Sequence, residues 1–600
     1  MKKLSVVFTG LILMFSTILQ PPLVQAQLQR GPRSPYLDVI FYTDPVTCFN
    51  ALRNGEIDIM PYPVDKGQYD QAISDPNILL APYSDSYDIR GFNFNTNETI
   101  EEYFNVTSPL SRLEFRKALA FLVDKTYIIS QVFGGLADRI DVPFPKSQED
   151  WWNTSVTYPN YPYEYSWTEA AAILDAASFV DRDGDGIRNY PIGWYRRASG
   201  MYDLDPVVFC VEKARPQEMA MANWLRGQME QIGIPVDWQP LLADEFLGRV
   251  VIGRNYHICA GSQVVYRAPT WWYPIALMAF TTPFEAPAGA YPEIGPELFV
   301  VKSVLEYKLL MDKLWKATYG NSWEVSIQNV KEAQGIFMKN VTEIPVCSIR
   351  GYFAYRKTLA GIVDEKGFGI DNSYTFLNAY RTDNPNQPVR VGLITQPTQM
   401  NILYSTRQTD YTCLDRIYAG LIDHNPYDPN VDTPWIAQDW EVGSWIDPDD
   451  GKTKTFVDYY FRKDAYWVKP TNGTVDGLFN ATDYEFTCHY IYAQYPYAEG
   501  IEMGCPHYGH FKDIHHIQII NDFCVRVFMD VSSVYAYQWP TYPLLPKHKW
   551  LREPLAHNRS VYLGDHSYIE LPGTLPLNES VVSGLKDTKV KVLLANGQQT

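Results

Sequence analysis

Positive charge is scarce in this chain. Its 600 residues carry 51 lysines and arginines against 69 aspartates and glutamates, a formal net charge of -18. A surface with that balance repels phosphate, which excludes nucleic acid and anionic membrane surfaces as partners. Long apolar runs are scarce as well: beyond the first 26 residues no segment forms an extended uncharged apolar stretch. Patterns of covalent chemistry are missing, with no G-x-S-x-G elbow, no H-E-x-x-H and no P-loop, so no enzyme is expected. No short internal repeat occurs.

The chain does have a large apolar and aromatic inventory. Hydrophobic residues make up 46% and charged residues 20%, enough to bury a core and unlike a disordered polymer. The length suits several domains or one large two-lobed unit. Aromatic residues make up 14%, with 43 Tyr and 16 Trp. Both join a flat apolar face to a polar tip, which suits peptide or sugar pockets, although an aromatic core accounts for most of them.

The chain starts MKKLSVVFTGLILMFSTILQPPLVQAQ, with Lys2 and Lys3 ahead of an apolar stretch and a small-residue pattern at Val24-Gln25-Ala26. Residues 1–26 read as a secretory signal, with an uncleaved anchor as the alternative. No cysteine follows directly, which argues against a lipid anchor. Export makes the eight cysteines candidates for disulfides. Cys210 (VVFCV) with Cys259 (YHICAG) is one suggested pair and Cys488 with Cys505 a second; buried free thiols are the alternative. N-x-S/T sequons lie at Asn97, Asn105, Asn153, Asn340, Asn472, Asn480, Asn558 and Asn578. In an exported chain they point to a glycosylated surface protein, secreted or held at the cell surface, and lean towards an archaeal one.

Along the chain, LDVIFYTDPVTCFNALRNGEIDIM alternates apolar residues, turns helix-like, stops at Asn54-Gly55 and alternates again at Ile57 and Ile59. That is a strand, a helix and a strand, implying a parallel sheet. Residues 111–135 read as two helices, the second capped by Asp124 and ended by Gly134-Gly135. Ser166 and Glu169 form a capping box pattern. In DRDGDGIRN, Asp181, Asp183 and Asp185 with Gly186 match the first half of a calcium loop. The closing glutamate is missing, Ile192 standing in its place, and Asn189 is the substitute ligand; an ion-free Asp/Gly turn is the equal alternative. Strands at 207–211, 234–238 and 256–261 with a helix from Pro216 continue an α/β pattern. The linker RTDNPNQP, 381–388, is the clearest boundary, and the chain turns strand-rich after it. Cys505, His507, His510, His515 and His516 cluster in CPHYGHFKDIHH, but their spacing fits no zinc pattern, and a strand would turn His515 and His516 to opposite faces.

Several of these stretches, taken together, resemble the extracytoplasmic solute-binding proteins of peptide-type ABC importers, the dipeptide/oligopeptide-binding family 5. LRNGEIDIM resembles that family's L-x-x-G-E-x-D step, EFRKALAFLVDKTYI its R-x-A-L helix, and WTEAAAILDAASFVDRDGDGIR its D-x-D-G-D-G-x-R segment. WLRGQMEQIGIPVDW resembles its I-G-I-x-V helix-strand, and IYAGLIDHNP, PWIAQDWEV, YYFRKDAYW, NATDYEFT and LLPKHKW its early region. The family's early region comes second here, so the order is that of a circular permutation or of a piece of a tandem protein, with linker 381–388 joining the old ends. The resemblance implies an α/β fold of the periplasmic-binding type II class: two lobes, a hinge and an extra strand-rich subdomain. Lobe I would comprise residues 36–110, 346–425 and an unfinished 546–600, lobe II residues 111–345, and the strand-rich subdomain of lobe I residues 426–545.

It also implies a receptor that captures a peptide or oligosaccharide and delivers it to importer permease subunits. Peptide-binding members pin the ligand's α-ammonium with an aspartate in a loop that corresponds here to AGSQVVYRAPTWWYP, where valines stand instead. That loop offers Gln263, Tyr266, Arg267, Trp271, Trp272 and Tyr273, and Asn401 and Tyr404 face the cleft by the same analogy. Arg267 suits a carboxylate and the tryptophans a sugar face. No cofactor is expected beyond a structural calcium. A structural or adhesive glycoprotein of the same fold is the alternative function, and a metal-dependent enzyme ranks last.

Overall fold

The computed structural model describes, apart from isolated positions, residues 32–81, 88–100, 106–144, 151–194, 201–264, 313–469, 474–493 and 511–550, with Cys505, His507 and the strand segments 559–563, 567–571 and 592–593. Strand β1 (Tyr36–Phe41) leads into helix α1 (Pro45–Asn54). Asp44 opens the helix by accepting the N–H of Thr47 at 2.8 Å, and Gly55, at φ 75°, closes it. The chain then buries Ile57, Ile59 and Met60 as it enters β2 (Ile59–Pro63).

The sequence expects β1 and β2 in a parallel sheet, and the structure places both in one, with a strand from more than 300 residues away between them. Naming further strands β3 (Ile78–Leu80), β10 (Phe353–Arg356), β11 (Val389–Leu393) and β16 (Val592–Leu593), the first sheet runs β16-β1-β11-β2-β10-β3. β11 is parallel to both neighbours, in register from Leu37↔Val389 to Phe41↔Leu393 and at Val391↔Ile59.

Asp58 fixes that register. Its carboxylate is 1% exposed and accepts the Arg390 backbone N–H at 2.9 Å and the Arg390 guanidinium at 3.0 and 2.8 Å. Its own N–H donates to the Arg390 carbonyl, and its carbonyl accepts from Arg356 of β10. Gly392 has no room for a side chain: a Cβ there would lie 2.4 Å from Ile57 Cδ1 and 2.7 Å from Cys48 Sγ, so α1 packs directly onto β11.

The second sheet is built from β4 (Asp88–Phe94), β5 (Ala137–Arg139), β6 (Val207–Glu212), β7 (Val236–Leu241), β8 (Ile258–Val264) and β9 (Glu343–Ile349), in the order β5-β9-β4-β8-β6-β7. Helices α2 (Leu113–Phe121), α3 (Trp167–Ala176), α4 (Pro216–Gln231) and α5 (Trp323–Asn340) belong to this unit. Arg116 of α2 is buried and donates to the carbonyls of Asn340 and Val341, satisfying the last turn of α5. Cys210 and Cys259 are register partners on the parallel strands β6 and β8. Both are free thiols, as are Cys488, Cys505 and the other four cysteines, all buried, so neither suggested disulfide is formed. Burial in apolar surroundings pushes the Cys210 thiol up to about 12.

The third sheet, β12 (Ala437–Ile446), β13 (Thr453–Phe461), β14 (Ile514–Asn521) and β15 (Cys524–Met529), runs β12-β13-β15-β14 and is antiparallel throughout. Its apolar core is continuous with that of the second sheet: Tyr535 meets Trp323 of α5 edge-on at 5.0 Å and hydrogen-bonds Ser326. The segment leading into this sheet meets the first-sheet side: His424 Nε2 lies 2.5 Å from Glu365, Arg416 pairs with Asp371, and Tyr374 packs on Trp435. His515 and His516 do not point apart as expected. A register shift between Ile514 and His516 brings their rings to 5.1 Å, both against Trp445. Among the described residues no helix is long and apolar enough to cross a membrane.

Candidate functional site

Two chain crossings join the first and second sheets. One runs from β3 to β4, the other from β9 to β10 through Arg350, Gly351 and Tyr352. The second is described in full. Arg350 pairs with Asp138 of β5 at 2.8 Å, and the Tyr352 carbonyl accepts the N–H of Val64 at 2.9 Å while its ring meets Tyr69 at 4.9 Å. A Cβ on Gly351 would lie 2.7 Å from the Phe353 ring, so this step has little space for a side chain.

In open α/β sheets ligands bind beyond the carboxyl ends of the parallel strands. In the first sheet that edge is formed by the ends of β1, β11 and β2. Tyr62 of β2 accepts the N–H of Ile394 there at 3.3 Å, and burial pushes its hydroxyl well above the usual range. The chain after β11 carries Met400, which packs against the apolar clusters of both sheets, and then buries Ile402 and Leu403. Asn401 Oδ1 accepts the N–H of Leu403 at 3.0 Å, and its carbonyl accepts from Ser405. Ser405 in turn donates to Asp410 of helix α6 (Gln408–Leu414) at 2.9 Å. His507 Nε2 lies 2.9 Å from the Ile402 carbonyl and 3.1 Å from the Tyr411 hydroxyl. The carbonyl contact places the proton on Nε2. Asn401 is thus part of a loop braced by α6 and the strand-rich unit.

On the other lobe, Gln263 is paired in β8 opposite Ile89, its side chain outside the described residues. Tyr266, Arg267, Trp271, Trp272, Tyr273 and Tyr404 lie outside the described residues altogether. Sequence reasoning missed the brace. Tyr411 and His507 are 96 residues apart, and only the fold brings them together.

The calcium-like loop is a turn held by its own backbone. Asp181 accepts the N–H groups of Gly184 at 2.7 Å and Gly186 at 3.0 Å, which holds its carboxyl below the usual range. The structure brings Asp181, Asp183 and Asp185 within 4.8 Å of one another, all exposed. It does not bring Asn189: that residue is fully buried, its Oδ1 accepting the N–H of Arg182 and its Nδ2 donating to Asp203, both at 2.7 Å. Arg188 ties the loop to α4, donating to the Ile232 carbonyl at 2.6 Å. The residues present therefore supply three carboxylates and no fourth side-chain ligand from this motif. A second cluster, Asp447, His515 and Asp530, already holds a cation: the Lys454 ammonium pairs with Asp447 and lies 3.1 Å from Asp530.

Beside Glu365, which meets His424, Asp364 Oδ1 is buried with no hydrogen-bond partner among the described residues. Burial, and then the charge of Glu365, push the Asp364 carboxyl up to about 7. A raised carboxyl binds more protons folded than unfolded, so its contribution is full at low pH and is lost as pH rises through about 7. Asp364→Asn is expected to match the parent near pH 4 and to melt higher above pH 7. Tm measured against pH checks this, and a difference independent of pH would contradict it.

Residues 29–287 match the family model described as bacterial extracellular solute-binding proteins, family 5 Middle. Members of that family are receptors that work with ABC importer permeases. No curated protein sequence matches the chain. Solved structures do. The periplasmic oligopeptide-binding protein of Thermotoga maritima, crystallised with mannohexaose, is 15% identical, with 56% of this chain and 61% of that one covered and a TM-score of 0.43. DppA of Helicobacter pylori, in complex with the peptide STSA, is 18% identical over 56% of this chain and 55% of its own, TM-score 0.41. AppA of Bacillus subtilis, with a nonapeptide, is 14% identical over 57% and 59%, TM-score 0.41. The match spans less than two thirds of each of those proteins.

Proposed function

We propose that this chain, whose residues 29–287 match the model of the bacterial extracellular solute-binding proteins, family 5, is the solute receptor of an ABC importer. It captures a peptide or an oligosaccharide between two closing lobes and hands it to permease subunits, with no covalent step. The first sheet is the frame of one lobe and the second sheet that of the other. The observation that carries this reading is the pair of α/β sheets, within and beyond the family-matching segment, joined by two crossings with the braced 400–405 loop at the carboxyl edge. A hinge between two lobes lets ligand contacts, richer in the closed form, shift the population.

The loop AGSQVVYRAPTWWYP has no acidic residue to pair with a free α-ammonium. Arg267 would take a carboxylate and Trp271 and Trp272 a sugar face. Calcium at Asp181, Asp183 and Asp185 would be structural and outside ligand capture. The test is a thermal-shift screen of peptides against oligosaccharides. A ligand bound only by the folded state adds about 2.7 kcal/mol at a hundred times its Kd, so one class raises Tm in a dose-dependent way. Arg267→Ala is expected to abolish a peptide's shift, and the double change Trp271→Ala, Trp272→Ala a sugar's. If neither class moves Tm and nothing co-purifies by mass spectrometry, the receptor reading fails.

A further inference from the structure

Three of the N-x-S/T sequons lie among the described residues, and their amide nitrogens are in different situations. Asn153 Nδ2 donates to the Lys331 carbonyl at 2.7 Å and lies 3.5 Å from where a Cβ on Gly335 would sit. Asn340 Nδ2 donates to the Ile336 carbonyl at 3.1 Å. Asn480 Nδ2 has no partner among the described residues.

The rest of the Asn480 site is built. Helix α7 (Ala481–Ala493) starts there, and the Asn480 carbonyl accepts the N–H groups of Asp483 and Tyr484. Its Oδ1 accepts both the N–H and the hydroxyl of Thr482, each at 2.8 Å. Thr482 is exposed. Ser155 makes the same pair of bonds to Asn153 Oδ1, at 3.0 and 2.6 Å, so what separates the two sites is the partner of the nitrogen. The Asn480 side chain is thus fixed by its oxygen and open at its nitrogen. The Ala481 N–H is received by the carbonyl of Asp522, in the β14–β15 turn.

We propose that Asn480 is the N-glycosylated residue among these three. The donor is an oligosaccharide linked to a lipid phosphate or diphosphate. A bond forms between Asn480 Nδ2 and the anomeric carbon, and the anomeric C–O bond to phosphate breaks. The phosphate leaves with the bonding pair, and the amide nitrogen gives up one proton to a base. The inference rests on the export half of the proposed function and is independent of what the receptor binds.

The experiment is peptide mapping by mass spectrometry of the full chain, purified from the extracellular or surface fraction of its own source. The expected result is a carbohydrate mass on the peptide carrying Asn480 and none on those carrying Asn153 and Asn340. An unmodified Asn480, or comparable occupancy at Asn153 or Asn340, overturns the proposal. A chain confined to the cytoplasm overturns the export reading and this modification with it, whereas a bare Asn480 on an exported, ligand-binding chain overturns this inference alone. Thr482→Val is expected to abolish occupancy and Thr482→Ser to keep it. Because Thr482 is exposed, both variants fold, and carbohydrate persisting on the valine variant also overturns the proposal.

Discussion

Asp58→Ala is expected to destabilise the protein by about 3–5 kcal/mol, the cost of breaking a buried ion pair by removing one partner. The carboxylate is 1% exposed, receives three hydrogen bonds from Arg390, and has Arg381 3.6 Å away. Its removal leaves the Arg390 guanidinium without its counter-charge, while Arg381 keeps Asp383 at 2.7 Å, and strips the constraint that holds β11 between β1 and β2. Thermal or urea unfolding of the variant checks this. A double-mutant cycle sharpens it: Arg390→Ala alone costs a comparable amount, and the double variant much less than the sum of the two. A loss below about 1 kcal/mol in Asp58→Ala would show that the buried pair does not hold the sheet together.

Cutting the chain within residues 383–387 is expected to leave a folded, non-covalent complex. These residues are exposed, so a protease site placed there costs no core packing. The two pieces share one sheet through the five registered pairs of β1 and β11. They also share one apolar cluster, with Leu37, Ile59, Phe353 and Phe376 from one piece and Val389, Val391, Leu393 and Cys413 from the other. The nicked protein should elute at its intact size in gel filtration and separate only in denaturant. Adding Asp58→Ala to the nicked form should cause it to fall apart at much lower denaturant. Two pieces that part under native conditions, each still folded, would mean that residues 389 onwards form a module of their own.

Much of the local structure was legible in the sequence. Gly55 ends α1, and Asp124 and Ser166 each open a helix, because caps and left-handed glycines act within a turn of where they stand. The strands at 207–212 and 258–264 followed from their apolar runs. The neighbour of β1 could not be read in that way. Periodicity states which face a strand buries and nothing about what lies beside it, so the strand–helix–strand reading could not place β11 between β1 and β2. The same limit applied to the histidines. Alternation predicts opposite faces for His515 and His516, and a bulge undoes it.

The sequence by itself determined the α/β class, many helix and strand ends, the net acidic charge and the resemblance to a solute-binding family, since all of these rest on composition or on residues close together along the chain. Only the tertiary structure decided which strands are neighbours, that all eight cysteines are free thiols, that the strand-rich unit shares its core with the second sheet, and that Asn189 turns away from the aspartates. The physical reason is that these outcomes are settled by contacts between segments tens to hundreds of residues apart. There, close packing and the pairing of buried charges such as Asp58 with Arg390 choose among arrangements that local preferences leave equal.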